Sequence, residues 1–115
     1  MSSVKRLLTA VLAAVVLLAV LSLKLLNRQS SHVRMTLLMR EGWLAMETGD
    51  YGTAIDSYRL AVSLNERETQ AYLQLAKAYE RNGDLQEALY ILRLGTQKTD
   101  SEKIRIAYNT LLGSF

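Results

Sequence analysis

Few side chains in this sequence are suited to chemistry, and they are scattered. His32 is the only histidine among 115 residues, and there is no cysteine. That excludes disulfides, thiolate metal sites and thiol nucleophiles. His32 lies in a polar run, NRQSSHV over residues 27–33, with no acid beside it. It reads as a solvated residue rather than a ligand or a base. The acids have structural roles available to them. Asp50 and Asp84 each follow a glycine, where a helix must restart, and a carboxylate there can cap the new helix. Asp100 and Glu102 fall where another helix opens, which suits the helix dipole. Lys77 and Arg81 stand one turn apart, a spacing that can hold an acidic group, but Glu80 beside them favours a solvated charged face. No base–nucleophile pair, metal-ligand cluster or glycine-rich phosphate loop is specified. The expectation is a protein that is not an enzyme and carries no cofactor or metal.

The elements that position these residues fall into two compositions. Residues 1–34 carry Lys5, Arg6, Lys24, Arg28 and Arg34 and no acid, a charge of +5. Residues 35–115 carry nine Lys/Arg and eleven Asp/Glu, a charge of −2, which together make the +3 of the chain. The basic excess therefore belongs to the first segment. A nucleic-acid-binding domain would spread it over a folded surface, so no nucleic-acid partner is expected.

Residues 7–23 read LLTAVLAAVVLLAVLSL, with Thr9 and Ser22 the only polar residues. Extended to Leu26, this stretch spans about 30 Å as a helix, one hydrocarbon core, and Lys24 can snorkel to the headgroups. A helix apolar all round belongs in lipid or in a deep core, and the remaining chain is too small to wrap it. The competing reading is a cleaved secretory signal. The apolar run exceeds a typical signal core of about 7–15 residues, and no small-x-small cleavage site follows it, so an uncleaved anchor is expected. A lipoprotein signal would need a cysteine. Basic residues flank both sides almost equally, so the positive-inside rule leaves the side of the C-terminal part open. The short basic start fits a bacterial plasma membrane. Ala10 with Ala14 forms a small-xxx-small pair, a spacing that an alanine-rich segment produces readily by chance.

The rest of the chain repeats itself at 34 residues. Residues 35–68 laid over 69–102 align Gly49-Asp50 with Gly83-Asp84, Ala54 with Ala88, Arg59 with Arg93, Leu60 with Leu94 and Glu68 with Glu102. Gly42 falls on Ala76, Ile55 on Leu89 and Ala61 on Gly95. The period and the phased Gly-Asp pairs predict stacked helix-turn-helix units. Apolar spacing predicts a first helix over about 36–48, carrying Leu37, Leu38, Trp43, Leu44 and Met46, and a second over 51–64. Asn65 with Glu68 has the spacing of an N-cap and its acid for a third helix. Asp84 with Glu87, and Thr99 with Glu102, suggest the same for the fourth and fifth. Small residues, namely Gly42, Ala54, Ala61, Ala76, Ala88 and Gly95, should let paired helices approach, while Tyr58, Tyr79 and Leu92 fill between layers.

At these residues the segment resembles the tetratricopeptide repeat (TPR) family. The pattern runs Gly42, Ala45, Gly49-Asp50-Tyr51, Ala54, Tyr58, Ala61, and again Ala76, Tyr79, Gly83-Asp84-Leu85, Ala88, Leu92, Gly95. Glu66 and Asp100 replace the proline that usually closes each repeat, and Leu38 stands where Trp or Tyr is commoner. The resemblance implies antiparallel helix pairs stacked as an α-solenoid and closed by a capping helix; with the N-terminal transmembrane helix read from hydropathy, the expected fold is all-α. The expected organisation is a basic tail 1–6, an anchor 7–26, a juxtamembrane linker 27–34, repeats 35–68 and 69–102, and a cap 103–115.

The resemblance also places the first helix of each repeat on a concave face. That face would carry Thr36, Met39, Trp43, Met46 and Glu47 from the first repeat, and Gln70, Leu73, Lys77, Glu80 and Arg81 from the second. Ile104, Ala107 and Leu111 would extend it from the last helix. A partner is expected at Met39, Trp43, Met46, Leu73, Lys77 and Arg81, since Met adapts to varied surfaces and Trp is a frequent hot spot. Met39 and Trp43 stand where carboxylate-clamping members carry Lys and Asn, which disfavours that mode. The function these features imply is a membrane-anchored adaptor or assembly factor binding a protein or peptide, with residues 7–26 in lipid and homo-oligomerisation left open. A small structural subunit acting through its transmembrane helix, and a targeting-sequence receptor, are the alternatives.

Overall fold

The computed structural model describes residues 2–115 and is helical throughout, with no strand among the described residues. Five helices follow one another: α1 Ser2–Glu47, α2 Tyr51–Leu64, α3 Thr69–Arg81, α4 Leu85–Lys98 and α5 Glu102–Leu112. Two compact units divide between Val33 and Arg34.

The first unit, which ends at Val33, holds the apolar part of α1. It is long and apolar enough to cross a membrane, and no residue of its most apolar 18-residue stretch is buried. Thr9 fits this environment because its hydroxyl donates to the Arg6 carbonyl at 2.8 Å. Residues 27–34, expected as a linker, are helical instead. The chain has no proline and its first glycine is Gly42, so nothing stops helical propagation through this polar stretch. Ser31 satisfies its hydroxyl on the Arg28 carbonyl at 2.9 Å and stays compatible with the helix.

The second unit pairs the end of α1 with α2, and α3 with α4, and sets α5 against α3 and α4. The turn chemistry is the same in both pairs. Gly49 has φ +76° and Gly83 φ +86°, the left-handed conformation that an L side chain rarely adopts. The next N–H reaches back five residues in each case, Asp50 to the Ala45 carbonyl at 2.9 Å and Asp84 to that of Tyr79 at 2.8 Å. The glycine N–H donates to Met46 and to Glu80. Asp50 then caps α2. Its carboxylate accepts from the Thr53 hydroxyl at 2.7 Å and the Thr53 N–H at 3.2 Å, and these bonds hold its pKa below the ordinary value.

Three caps differ from expectation. Asn65 ends α2 rather than opening α3, and its side-chain oxygen accepts from the Arg67 N–H. Glu68 itself caps α3, through the Gln70 N–H. Asp84 stands at the N-cap of α4 but turns its carboxylate to the Asn82 amide at 2.7 Å, so no cap bond forms with the α4 backbone. Ser101 opens α5 in place of Thr99, whose hydroxyl is committed to the Gly95 carbonyl at the end of α4.

The core forms where small residues meet rings. A Cβ on Gly42 would lie 2.5 Å from the Tyr58 ring, so the ring packs directly on the α1 backbone. Gly95 does the same for Tyr72 and Ile104. Ala54, Ala61 and Ala88 are fully buried and Ala76 nearly so. Tyr72 is enclosed completely, and its hydroxyl donates to the Glu66 carbonyl at 2.7 Å, tying the closing turn of the first repeat to α3. Burial raises the hydroxyl pKa of Tyr58, Tyr72 and Tyr79.

Candidate partner-binding groove

The groove expected from the sequence draws on one face of α1 and one face of α3. Met39 and Met46 are half-buried and rest on the main core cluster, as does Leu73 from α3. Their inner atoms are held while their outer surfaces stay open. Trp43 lies between the two methionines in sequence and is 55% exposed, an unusual exposure for the largest apolar side chain. It projects away because Gly42 and Ala45 beside it take the buried positions of that turn. Lys77 and Arg81 are exposed on α3, and neither belongs to the two ion pairs of the described residues, Lys98–Glu66 and Arg105–Glu102. α1 thus carries an exposed apolar ring between two half-buried methionines, and α3 carries two exposed cations.

Two expected members of the face do not belong to it. Ile104 is fully buried and Leu111 is 9% exposed; both belong to the core. The 34-residue period placed them opposite Gln70 and Lys77. In α5, however, Ile104 and Leu111 face inward and join the main core cluster, and α5 starts 33 residues after α3 rather than 34. The connection into α5 is shorter than the period allows, and the helix turns its apolar side inward.

Exposed leucines outside the groove were legible only as part of an apolar stripe. Leu37 and Leu44 on α1 and Leu60 on α2 are all exposed. With Leu38, Leu64, Ser63 and Arg34, two of them, Leu37 and Leu60, border an apolar hollow of about 300 Å³ at the outer edge of the first helix pair. The signal available in the sequence was the 34-residue alignment itself, which sets Leu37 over Ala71 and Leu44 over Ala78.

Among the described residues, no three His, Cys, Asp or Glu side chains gather where a metal ion would sit. What the arrangement offers is a contact surface. No curated protein matches the chain. Residues 45–111, from the last turn of α1 through most of α5, match the family model described as tetratricopeptide repeat. Repeats of that kind generally mediate protein–protein interaction, and a match over more than half of the residues, on helices that turn at the two left-handed glycines, means that this chain belongs to the tetratricopeptide repeat family.

Proposed function

We propose that this protein is a membrane-anchored adaptor, held by residues 7–26 and binding a protein partner on the face that carries Met39, Trp43, Met46, Leu73, Lys77 and Arg81. The observation that supports it best is the exposed Trp43 flanked by two methionines anchored in the core. Such a patch presents a large ring at low entropic cost, with flexible thioethers to adapt around it. Lys77 and Arg81 suit an acidic residue beside the partner's apolar anchor. A surface of two repeats suits a short helix or an extended peptide. The apolar part of α1 supports the anchor by its length and by having no polar face.

Proximity labelling from the full-length protein in its native membrane tests both halves. Trp43→Ala with Met39→Ala is expected to remove the specific neighbours while circular dichroism stays near wild type; an unchanged set of neighbours removes the groove. Carbonate extraction is expected to leave the chain in the membrane pellet, and release into the supernatant removes the anchor. A second reading, a structural subunit contacting other membrane helices, draws on the uniformly apolar surface of residues 7–26. Replacing that stretch by an unrelated leucine helix separates the two, since an adaptor keeps its neighbours and such a subunit loses them.

A further inference from the structure

The two ends of the apolar stretch carry cations in different arrangements. On the N-terminal side Lys5 and Arg6 are adjacent, so they leave the helix about 100° apart and do not face a common point. On the C-terminal side Lys24 and Arg28 stand four residues apart on the unbroken helix α1. That spacing sets one above the other on the same side of the helix, about 6 Å apart along its axis. Both residues are exposed, and neither belongs to the ion pairs of the described residues. The first acid in the chain is Glu41, so sequence neighbours supply no carboxylate to either cation.

Depth decides what these cations meet. With residues 7–26 in the hydrocarbon, Lys24 lies just inside its edge and Arg28 about 3 Å beyond it. The headgroup layer on each side of a bilayer is about 5–8 Å thick. Side chains on a helix tilt toward its N-terminus, which here draws the Arg28 guanidinium back toward the bilayer. Lys24 has a flexible stem that carries its ammonium the other way, out of the hydrocarbon. The two charges therefore converge on the level of the lipid phosphates. A guanidinium there can hold two phosphate oxygens at once, and an ammonium adds a compact charge beside it. A zwitterionic headgroup brings its own cation to the site and cancels part of this attraction. A headgroup of net negative charge does not.

We propose that Lys24 and Arg28 form a binding site for the phosphodiester of an anionic phospholipid, held at the C-terminal end of the span. The inference rests on the anchor reading and adds to it a choice of lipid. It uses no residue of the Met39–Trp43 groove.

The test uses the full-length protein reconstituted in vesicles of equal parts phosphatidylglycerol and phosphatidylcholine. After carbonate washing and extraction in mild detergent, native mass spectrometry counts the lipids that stay bound. Wild type is expected to retain phosphatidylglycerol in preference to phosphatidylcholine. Lys24→Gln with Arg28→Gln is expected to lower that preference at least about fivefold. Lys5→Gln with Arg6→Gln removes the same charge and is expected to leave it near wild type. A wild type that resists carbonate yet shows no preference overturns the site and leaves the anchor standing. A preference that survives Lys24→Gln with Arg28→Gln overturns the site, as does one lost equally in both double variants, since net charge alone would then choose the lipid. Release of the wild-type chain by carbonate overturns anchor and site together.

Discussion

Single residues carry the turns, and each for a different reason. A Cβ on Gly49 or Gly83 would meet no atom within 4 Å, so the glycine requirement there is conformational and not spatial. Gly49→Ala and Gly83→Ala are each expected to cost about 1–2 kcal/mol, read from urea unfolding, with Asn tolerated better than Ala. Gly42 has an ordinary helical conformation and no space. An alanine there gains about 1 kcal/mol of helix propensity but drives a buried tyrosine ring aside, at about 1–3 kcal/mol. At Gly95 the nearest atoms stand 3.0–3.2 Å away, so the two effects come closer to cancelling. The expected order of melting temperatures is wild type near Gly95→Ala, with Gly42→Ala clearly lower. Asp50 makes a pH prediction. Its folded pKa lies below the ordinary value, so its capping bonds stabilise the fold above that ordinary value and are lost as pH falls through the lowered one. The acid limb of the melting curve should therefore be shallower in Asp50→Asn than in wild type.

Helices pair here through small residues spaced one repeat apart. Ala54 and Ala88 are both fully enclosed. Ala54→Leu or Ala88→Leu is expected to overpack its pair and cost about 1–3 kcal/mol; an unchanged melting temperature counts against this pairing. Helices α2 to α5 were legible from apolar spacing and the Gly-Asp corners, whereas α1 runs through the expected anchor, linker and first repeat helix as one element. The caps were less so. Thr99, Asp100 and Ser101 form a cluster in which more than one residue is chemically able to cap, and sequence spacing does not choose among them. The choice falls to Ser101 because Thr99 is already spent on closing α4, a fact of the folded backbone. At Asn65 the same competition goes to the end of the preceding helix.

Across the second unit, two buried tyrosines, Tyr58 and Tyr72, and the partly buried Tyr79 pack against the core with hydroxyls that resist ionisation. Their raised pKa values mean that this stabilisation is complete below about pH 10 and fades as pH rises through the folded values. Alkaline unfolding is therefore expected, and Tyr72→Phe should move it to higher pH. The same change costs about 1 kcal/mol at neutral pH, because the Glu66 carbonyl loses its donor. Residues 34–115 form a compact unit by themselves. Expressed alone, they are expected to be helical and to melt cooperatively; a disordered circular dichroism spectrum contradicts the repeat assignment.

The order of amino acids by itself determined the apolar span, the 34-residue period and the two glycine corners. Each depends on local chemistry: hydropathy over one helix, backbone freedom at one residue, side-chain size at one spacing. What only the packed structure decided was exposure. Leu37 and Ala71 share a repeat position and are both apolar, yet one is open and the other enclosed. Ile104 and Leu111 read as surface by the period and lie in the core. Burial is a property of neighbours, and neighbours are set by how many helices stack and how long the last connection is.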